Sequence, residues 1–120
     1  MMPQGRETIV GMTRDPHFGP LLMFGLGGTF VEVFRDVNFS LAPISEDWAL
    51  KMIQGLKGFR ILTNFRGEPP ADLAAIVGSL ERLSQMVLDF PELKELDINP
   101  FMVFEEGKGA AVLDARIFIG

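Results

Sequence analysis

The chain of 120 residues contains no cysteine and no tyrosine. The absence of cysteine excludes a disulfide framework, thiol catalysis and a thiolate zinc site, and it is compatible with a reducing compartment. No apolar run approaches the roughly 20 residues that span a bilayer. The N-terminal residues also lack the hydrophobic segment of a signal peptide. These absences predict a cytoplasmic protein with no membrane partner.

Positive charge is also scarce. The 11 Lys and Arg residues are scattered and are outnumbered by 16 Asp and Glu residues, which gives a formal net charge of -5. Neither nucleic acid nor an anionic membrane is therefore expected as the main partner. An acidic chain can still bind phosphate through local backbone dipoles and a metal ion. The hydrophobic content of 48% is sufficient for the core of one compact domain.

Hydrophobic periodicity predicts both strands and helices. Alternation or short apolar runs predict strands over residues 7–14, 21–24, 30–33 and 37–42. Ser45 is a candidate N-cap for a helix ending near Gly58, and residues 59–65 are ambiguous, with another short helix as one interpretation. The clearest helix opens at Pro69 and Pro70 and stops at Pro91. We therefore expect one α+β domain over residues 1–120, with a mostly antiparallel sheet of about five strands and two to three helices on one face.

The C-terminal residues predict a β-hairpin. Two alternating runs, Glu95–Pro100 and Val112–Arg116, are joined by a polar, glycine-containing loop over residues 105–109. If the turn centres on residues 106 and 107, Asn99 lies opposite Asp114. The same register places Asp97 opposite Arg116, since the two partner numbers always have the same sum.

Strand alternation gives this hairpin one polar and one apolar face. The polar face carries Asp97, Asn99, Asp114 and Arg116. The apolar face carries Leu96, Ile98, Met102, Leu113 and Ile117. Cross-strand partners have Cβ atoms about 5 Å apart, so Asn99 and Asp114 can share a hard cation such as Mg²⁺, with water and phosphate as further ligands. The alternative is a solvated polar face, in which an Asp97–Arg116 pair contributes a few tenths of a kcal/mol.

A glycine cluster over residues 25–28 lies between two predicted strands. It is similar to a phosphate-binding loop, but a strand pattern follows it, so neither a Rossmann fingerprint nor a P-loop is present. The glycines either form a turn or present backbone N–H groups to a phosphate or a partner loop. Arg14 either binds phosphate or pairs with Asp15. The single histidine, His17, lies in a turn where exposure is expected, and no catalytic role is assigned to it.

Four segments, taken in order and spacing, strongly resemble the NDP-forming acyl-CoA synthetases. That family includes ADP-forming acetyl-CoA synthetase and is related to succinyl-CoA synthetase. The segments are Ile9–Pro16, Phe18–Gly28, Arg66–Asp72 and Leu96–Pro100. The resemblance extends over almost the whole chain. It implies that the chain is the C-terminal subdomain of an incomplete ATP-grasp module, the unit that corresponds to the synthetase β subunit.

The resemblance implies roles for individual residues. Asn99 and Asp114 correspond to magnesium ligands, in agreement with the hairpin register. Asp97 corresponds to a carboxylate that meets a phosphohistidine, and Arg116 to a basic residue that binds phosphate or pairs with Asp97. Two glycines, Gly27 and Gly28, match paired glycines near the phosphoryl-transfer site. Together with Arg14, they are the candidate nucleotide-binding residues, and the implied cofactors are Mg²⁺ and ATP or ADP.

The implied reaction interconverts acyl-CoA, ADP and phosphate with a free acid, CoA and ATP through a phosphohistidine. The family's catalytic histidines and its CoA site lie in other domains or in an α subunit, and the N-terminal ATP-grasp subdomain is missing. We therefore expect a ligase part that is inactive alone and needs these partners. The 11 Phe and seven Met residues also suggest association, with a homo-oligomer as one form.

Two other classes of function are considered. The first is a non-catalytic ATP-grasp-like module with a regulatory or assembly role. The second is a small α+β binding protein that binds no nucleotide, which the family resemblance disfavours. Retention of Asp97, Asn99 and Asp114 argues against the first class.

Overall fold

The computed structural model describes residues 5–27, 36–63 and 67–120. Its strands and helices follow in chain order: β1 (Arg6–Asp15), β2 (Gly19–Leu26), β3 (Val37–Leu41), α1 (Glu46–Gln54), α2 (Phe59–Thr63), α3 (Leu73–Asp89), β4 (Leu93–Val103), β5 (Ala110–Val112) and β6 (Ala115–Ile119). The α+β class is confirmed, with six described strands instead of about five and with three helices. The strand predicted over residues 30–33 lies outside the described residues.

The described strands form one antiparallel sheet. Its order is β3–β2–β1–β4, and both β5 and β6 pair with β4. Asp15 stabilises the short turn that joins β1 to β2: its carboxylate accepts hydrogen bonds from the backbone N–H groups of His17 at 2.8 Å and Phe18 at 3.0 Å. Gly19 then has a φ of 90°, which a residue with a Cβ adopts with strain. Local turn chemistry therefore sets the register of the two strands.

The helices cover one face of this sheet. Ser45 caps α1, since its side chain accepts a hydrogen bond from the Trp48 N–H, and Asp72 caps α3 in the same way through Ala75. Helices and sheet bury a shared apolar core, whose central members are Val10, Met12, Leu22, Phe24, Ile53, Leu62, Ile76, Leu80, Val87 and Leu96. No helix in the described ranges is long and apolar enough to cross a membrane. The cytoplasmic location stays a prediction.

The opposite face of the sheet carries no helix in the described part of the chain, and we call it the open face. Cross-strand pairing aligns its side chains in rows. The central row is Phe39, Met23, Gly11, Asp97 and Arg116. A flanking row is Leu41, Leu21, Thr13, Glu95 and Phe118. The open face is thus apolar toward β3, whereas toward β6 it carries the charged Glu95, Asp97 and Arg116 beside Phe118.

A β-bulge interrupts β4 beside the predicted site. Ile9 of β1 lies opposite both Asn99 and Pro100, because the pairing of β1 with β4 shifts by one residue there. An extra residue reverses which side chains face the core. Phe101 and Val103 are accordingly buried, although simple alternation would place them on the same face as Asn99.

The predicted apolar face of the hairpin is therefore only partly correct. Leu96 is buried, whereas Met102, beyond the bulge, is half-buried. Leu113 and Ile117 are exposed by 49% and 54%, which contradicts their placement in the core. The physical reason is that β6 packs beside β4 at the sheet edge, where the described helices make no substantial contact with it.

Candidate active site

The C-terminal hairpin has the predicted register. Asp97 pairs with Arg116, and the Asn99 N–H donates to the Asp114 carbonyl at 3.1 Å. Next along the strands, the Leu113 N–H donates to the Pro100 carbonyl at 3.1 Å. The predicted turn position between residues 106 and 107 follows from this pairing and is confirmed. The four polar side chains of the site are all exposed.

The oppositely charged side chains of Asp97 and Arg116 do not form an ion pair with each other. Among the described residues, the one ion pair joins Arg6 to Glu68, so Asp97 and Arg116 form none with each other. Their Cα atoms are nonetheless cross-strand partners on the open face. An anionic group can therefore approach Arg116, and an N–H donor can approach Asp97, without first breaking a salt bridge.

Asn99 and Asp114 suit a magnesium ion. Asn99 offers an amide oxygen from β4, Asp114 offers a carboxylate from the two-residue link between β5 and β6, and both side chains are exposed to incoming oxygen ligands. Mg²⁺ characteristically takes one or two carboxylate-type ligands and completes its octahedron with water and phosphate. The described residues include no cluster of three His, Cys, Asp or Glu side chains, which a dedicated protein cage would require. The donor set thus fits a metal that is held jointly with a phosphate ligand.

A groove of about 230 Å³ lies beside Asp97 on the open face. Its lining includes Met23, Phe39 and Phe118, and its floor is Gly11. A Cβ at Gly11 would lie 3.3 Å from the Met23 Cε and 3.2 Å from the Leu96 carbonyl oxygen. A larger residue at this position would therefore crowd the bottom of the groove. Sequence reasoning did not identify the groove. Its only signal in the sequence was the apolar alternation of β2 and β3. That alternation indicates a groove only when the pairing of the two strands is known.

Gly27 approaches the backbone of β1. Its N–H donates to the Glu7 carbonyl at 2.8 Å, and a Cβ there would lie 3.0 Å from the Glu7 carbonyl carbon. A glycine is required by this close approach. The N–H is engaged within the chain, and a role for Gly27 in phosphate binding stays a prediction. Gly28 lies outside the described residues.

Arg14 contacts the end of α3. Its guanidinium donates to the backbone carbonyls of Val87, Phe90 and Leu93. The positive charge therefore lies at the negative end of the helix dipole, where it is stabilising. No ion pair joins Arg14 to Asp15 in the described part of the chain, so this alternative is wrong. The phosphate-binding alternative stays a prediction.

Asp72 is a residue whose importance the sequence did not reveal. It is buried, and hydrogen bonds from the backbone N–H groups of Gly109, Ala75 and Gly107 lower the pKa of its carboxyl below the ordinary value of 3.8, against an opposing effect of burial. The ionised form is thus favoured by folding. The only signal in the sequence was an aspartate immediately before an apolar helical run.

Ionisation of the Asp72 carboxyl makes the free energy of unfolding depend on pH in the acidic range. Because its pKa is lower in the folded state, its contribution to stability is present above the ordinary value of 3.8 and is lost as the pH falls through the folded value. We expect the free energy of unfolding to fall less between about pH 5 and about pH 3 in Asp72→Asn than in the unchanged chain. Urea titrations at several pH values would measure this, and parallel pH profiles of the two proteins would contradict it.

Comparison with known proteins identifies the class of domain. Residues 1–119 match the family model described as an ATP-grasp domain. The chain belongs to the ATP-grasp domain family. The chain is 50% identical over 120 residues to the beta subunit of acetate–CoA ligase (ADP-forming) II of Pyrococcus furiosus, covering 99% of this chain and 51% of that subunit. It is 51% identical to acetate–CoA ligase (ADP-forming) I of Archaeoglobus fulgidus over 100% of this chain and 17% of that protein.

A solved structure is similar to this chain in both fold and sequence. The acetyl-coenzyme A synthetase 1 of Ca. Korarchaeum cryptofilum, in complex with coenzyme A and Mg-AMPPCP, superposes with a TM-score of 0.92 at 46% identity. The match covers 100% of this chain and 55% of the solved one. The predicted family is therefore confirmed. The chain spans about half the length of the P. furiosus beta subunit, and other domains or subunits complete these relatives.

Proposed function

We propose that this chain is the C-terminal ATP-grasp subdomain of an ADP-forming acyl-CoA synthetase, an acid–thiol ligase. In this proposal the chain supplies ligands for Mg²⁺ and for the nucleotide phosphates. The observation that carries the proposal is the hydrogen bond from the Asn99 N–H to the Asp114 carbonyl, which makes the backbones of an asparagine and an aspartate neighbours. The family match and the relatives supply the reaction class.

Asn99 and Asp114 would hold the metal through their side-chain oxygens. Bound Mg²⁺ would offset the negative charge on the phosphates during phosphoryl transfer. The contribution of the protein is to fix where that charge is neutralised. The backbone pairing of the two residues serves this purpose, because it fixes the spacing of their Cα atoms before any ligand binds.

Asp97 and Arg116 would act on the group that carries the phosphoryl. The K. cryptofilum structure has a phosphohistidine segment that points towards the nucleotide binding site. We assign Asp97 to accepting a hydrogen bond from such an imidazole, and Arg116 to phosphoryl oxygens or to Asp97. The groove over Gly11 lies next to Asp97 and would accommodate part of the histidine-bearing segment. Gly27 and Gly28 would allow a close backbone approach nearby.

The chain would need partners for turnover. Its one histidine, His17, is exposed in the β1–β2 turn, which is not part of the proposed site. We propose that an N-terminal ATP-grasp subdomain closes over the open face. A CoA-binding and phosphohistidine domain, or an α subunit, would supply the histidine. Exposed apolar side chains on the open face, Phe39, Leu41 and Phe118, are consistent with such packing or with a homo-oligomer.

Calorimetric titration with ADP, with and without Mg²⁺, tests this proposal. We expect Mg²⁺-dependent binding that the double substitution Asn99→Ala, Asp114→Ala weakens at least tenfold, about 1.4 kcal/mol, because the two metal ligands are removed. The matched control is Gln85→Ala, Asp89→Ala, which also removes one amide and one carboxylate, from the exposed face of α3. The control should bind ADP as the unchanged chain does.

Two results would contradict the proposal. One is an ADP affinity that does not depend on Mg²⁺, and the other is an equal affinity in both double variants. Circular dichroism of each variant would show that the fold is retained. A non-catalytic regulatory or assembly module, which the relatives do not favour, predicts indifference to both substitutions.

A further inference from the structure

Asp114 has little direct support from the body of the domain. It lies between β5 and β6, and each of these strands pairs with β4. β5 has only three residues, and every residue of β6 is exposed. Short or exposed ladders open easily because few buried contacts resist their separation. Another attachment is needed to hold this side of the hairpin in place.

The loop between β4 and β5 supplies that attachment through Asp72. One carboxylate oxygen of Asp72, Oδ2, accepts hydrogen bonds from the backbone N–H groups of Gly107 at 3.1 Å and Gly109 at 2.9 Å. Both glycines have positive φ values, 87° and 81°, which direct their N–H groups inward without strain. The other oxygen, Oδ1, caps α3 by accepting from the Ala75 N–H at 3.0 Å. A single side chain thus joins a helix start to the hairpin tip.

Backbone hydrogen bonds complete the same attachment. The Asp72 N–H donates to the Phe104 carbonyl at 2.8 Å, and the Glu106 N–H donates to the Pro70 carbonyl at 2.8 Å. Ala71 and Glu105 form an isolated bridge between them. Asp72 itself is only 8% exposed, so water competes weakly for these bonds. We call the set of contacts between residues 70–72 and 104–109 the hairpin clasp.

We propose that Asp72 is a positioning residue for the metal and phosphate site, which it serves by clamping the hairpin tip so that Asp114 stays in register with Asn99. This inference rests on the proposed function of those two residues. Asp72 touches neither of them. It acts through β5, whose three residues connect the clasp to Asp114 with one intervening residue. Its role thus differs from that of an ordinary helix cap, which would affect α3 alone.

Because different oxygens of Asp72 bind the hairpin tip and the start of α3, substitutions can remove the first interaction and keep the second. In Asp72→Asn, one oxygen remains to cap α3, and asparagine is a good N-cap. The amide NH₂ group then faces the N–H groups of Gly107 and Gly109 and cannot accept from them. Asp72→Ser is a second clasp-deficient variant, in which a hydroxyl caps the helix and leaves space for water. Ser45→Ala is the matched control, since it removes the side-chain hydrogen bond that caps α1, which is made to Trp48 and not to the hairpin.

Amide hydrogen exchange, read residue by residue by NMR, tests the proposal. The reporters are the N–H groups of Asn99 and Leu113, which bridge the two sides of the hairpin at the site, and the reference amide is Gly27, whose N–H bonds to Glu7 outside the hairpin. In Asp72→Asn, and in Asp72→Ser if the former is poorly folded, exchange of the two reporters should accelerate at least about tenfold relative to Gly27. The Ala75 amide should change less, and Ser45→Ala should leave the reporters unchanged.

The inference is overturned if exchange accelerates at Gly107 and Gly109 while the ratios for Asn99 and Leu113 to Gly27 stay constant. A cap without a positioning role predicts that pattern. Titration of the unchanged chain with ADP and Mg²⁺ separates this inference from the function on which it rests. Accelerated reporters in a chain without Mg²⁺-dependent binding would support the clamping role and overturn the proposed function. Mg²⁺-dependent ADP binding, together with unchanged exchange of Asn99 and Leu113 in the variants, would support the proposed function and overturn the clamping role.

Discussion

Replacement of Phe24 by alanine is expected to lower the free energy of unfolding by about 3–5 kcal/mol. Phe24 lies in β2 with its side chain 0% exposed, in the core between sheet and helices. Truncation would remove the aromatic ring and leave a cavity that the surrounding strands and helices can only partly close. For a domain whose total stability is about 5–15 kcal/mol, this is a large share. Urea denaturation followed by circular dichroism would measure the loss.

The matched control for this prediction is Phe39→Ala. Phe39 lies on the neighbouring strand β3, but its side chain points to the open face and is 55% exposed. The same chemical change should therefore cost less than about 1 kcal/mol. Equal losses at the two positions would mean that the open face is as well packed as the core, which would contradict the two-sided description of the sheet.

Replacement of Arg6 by methionine is expected to destabilise the chain by about 2–5 kcal/mol. Arg6 is only 8% exposed, and its guanidinium donates to the carbonyls of Ile61 at 3.1 Å and Pro69 at 2.8 Å. Methionine preserves much of the apolar stem but leaves both carbonyls without this donor. Equilibrium unfolding in urea would measure the change.

The ion pair of Arg6 with Glu68 should contribute much less than these hydrogen bonds. The charged atoms are 3.8 Å apart, and the Glu68 side chain is 36% exposed. Glu68→Gln removes the negative charge while keeping the shape, and we expect a cost below about 1 kcal/mol. If Glu68→Gln were as destabilising as Arg6→Met, the energy would reside in the salt bridge, and the argument from unpaired carbonyls would fail.

The hairpin register was predictable because its determinants are local. Alternation in both strands and the polar loop with Gly107 and Gly109 lie within about twenty residues of one another. The resulting partners, Asp97 with Arg116 and Asn99 with Asp114, needed no knowledge of the rest of the fold. Which apolar residues of the hairpin enter the core was not predictable in the same way. That depends on how β1 pairs with β4 and on how far the helices extend over the sheet.

Arg14 and Asp72 show the same limit for polar side chains. The hydrogen bonds of Arg14 reach residues up to 79 positions further along the chain, and those of Asp72 reach up to 37 positions. The family resemblance placed both residues in matching segments without indicating their contacts. Their partners are backbone atoms, which nearly every residue type provides, so no pattern of side chains along the sequence marks them. The tertiary structure alone reveals such bonds.

The bulge opposite Ile9 has a further consequence for how one strand serves two purposes. Before it, odd-numbered residues of β4 such as Asp97 project toward the open face; after it, odd-numbered residues such as Phe101 project inward. The bulge shifts the alternation by one residue, so that the same odd-numbered positions face opposite sides of the sheet before and after it. Loss of one residue at this point would exchange inward-facing and outward-facing side chains in the part of β4 that follows the bulge. Asn99 thus lies where the odd-numbered residues of β4 change from presenting polar groups on the open face to building the interior.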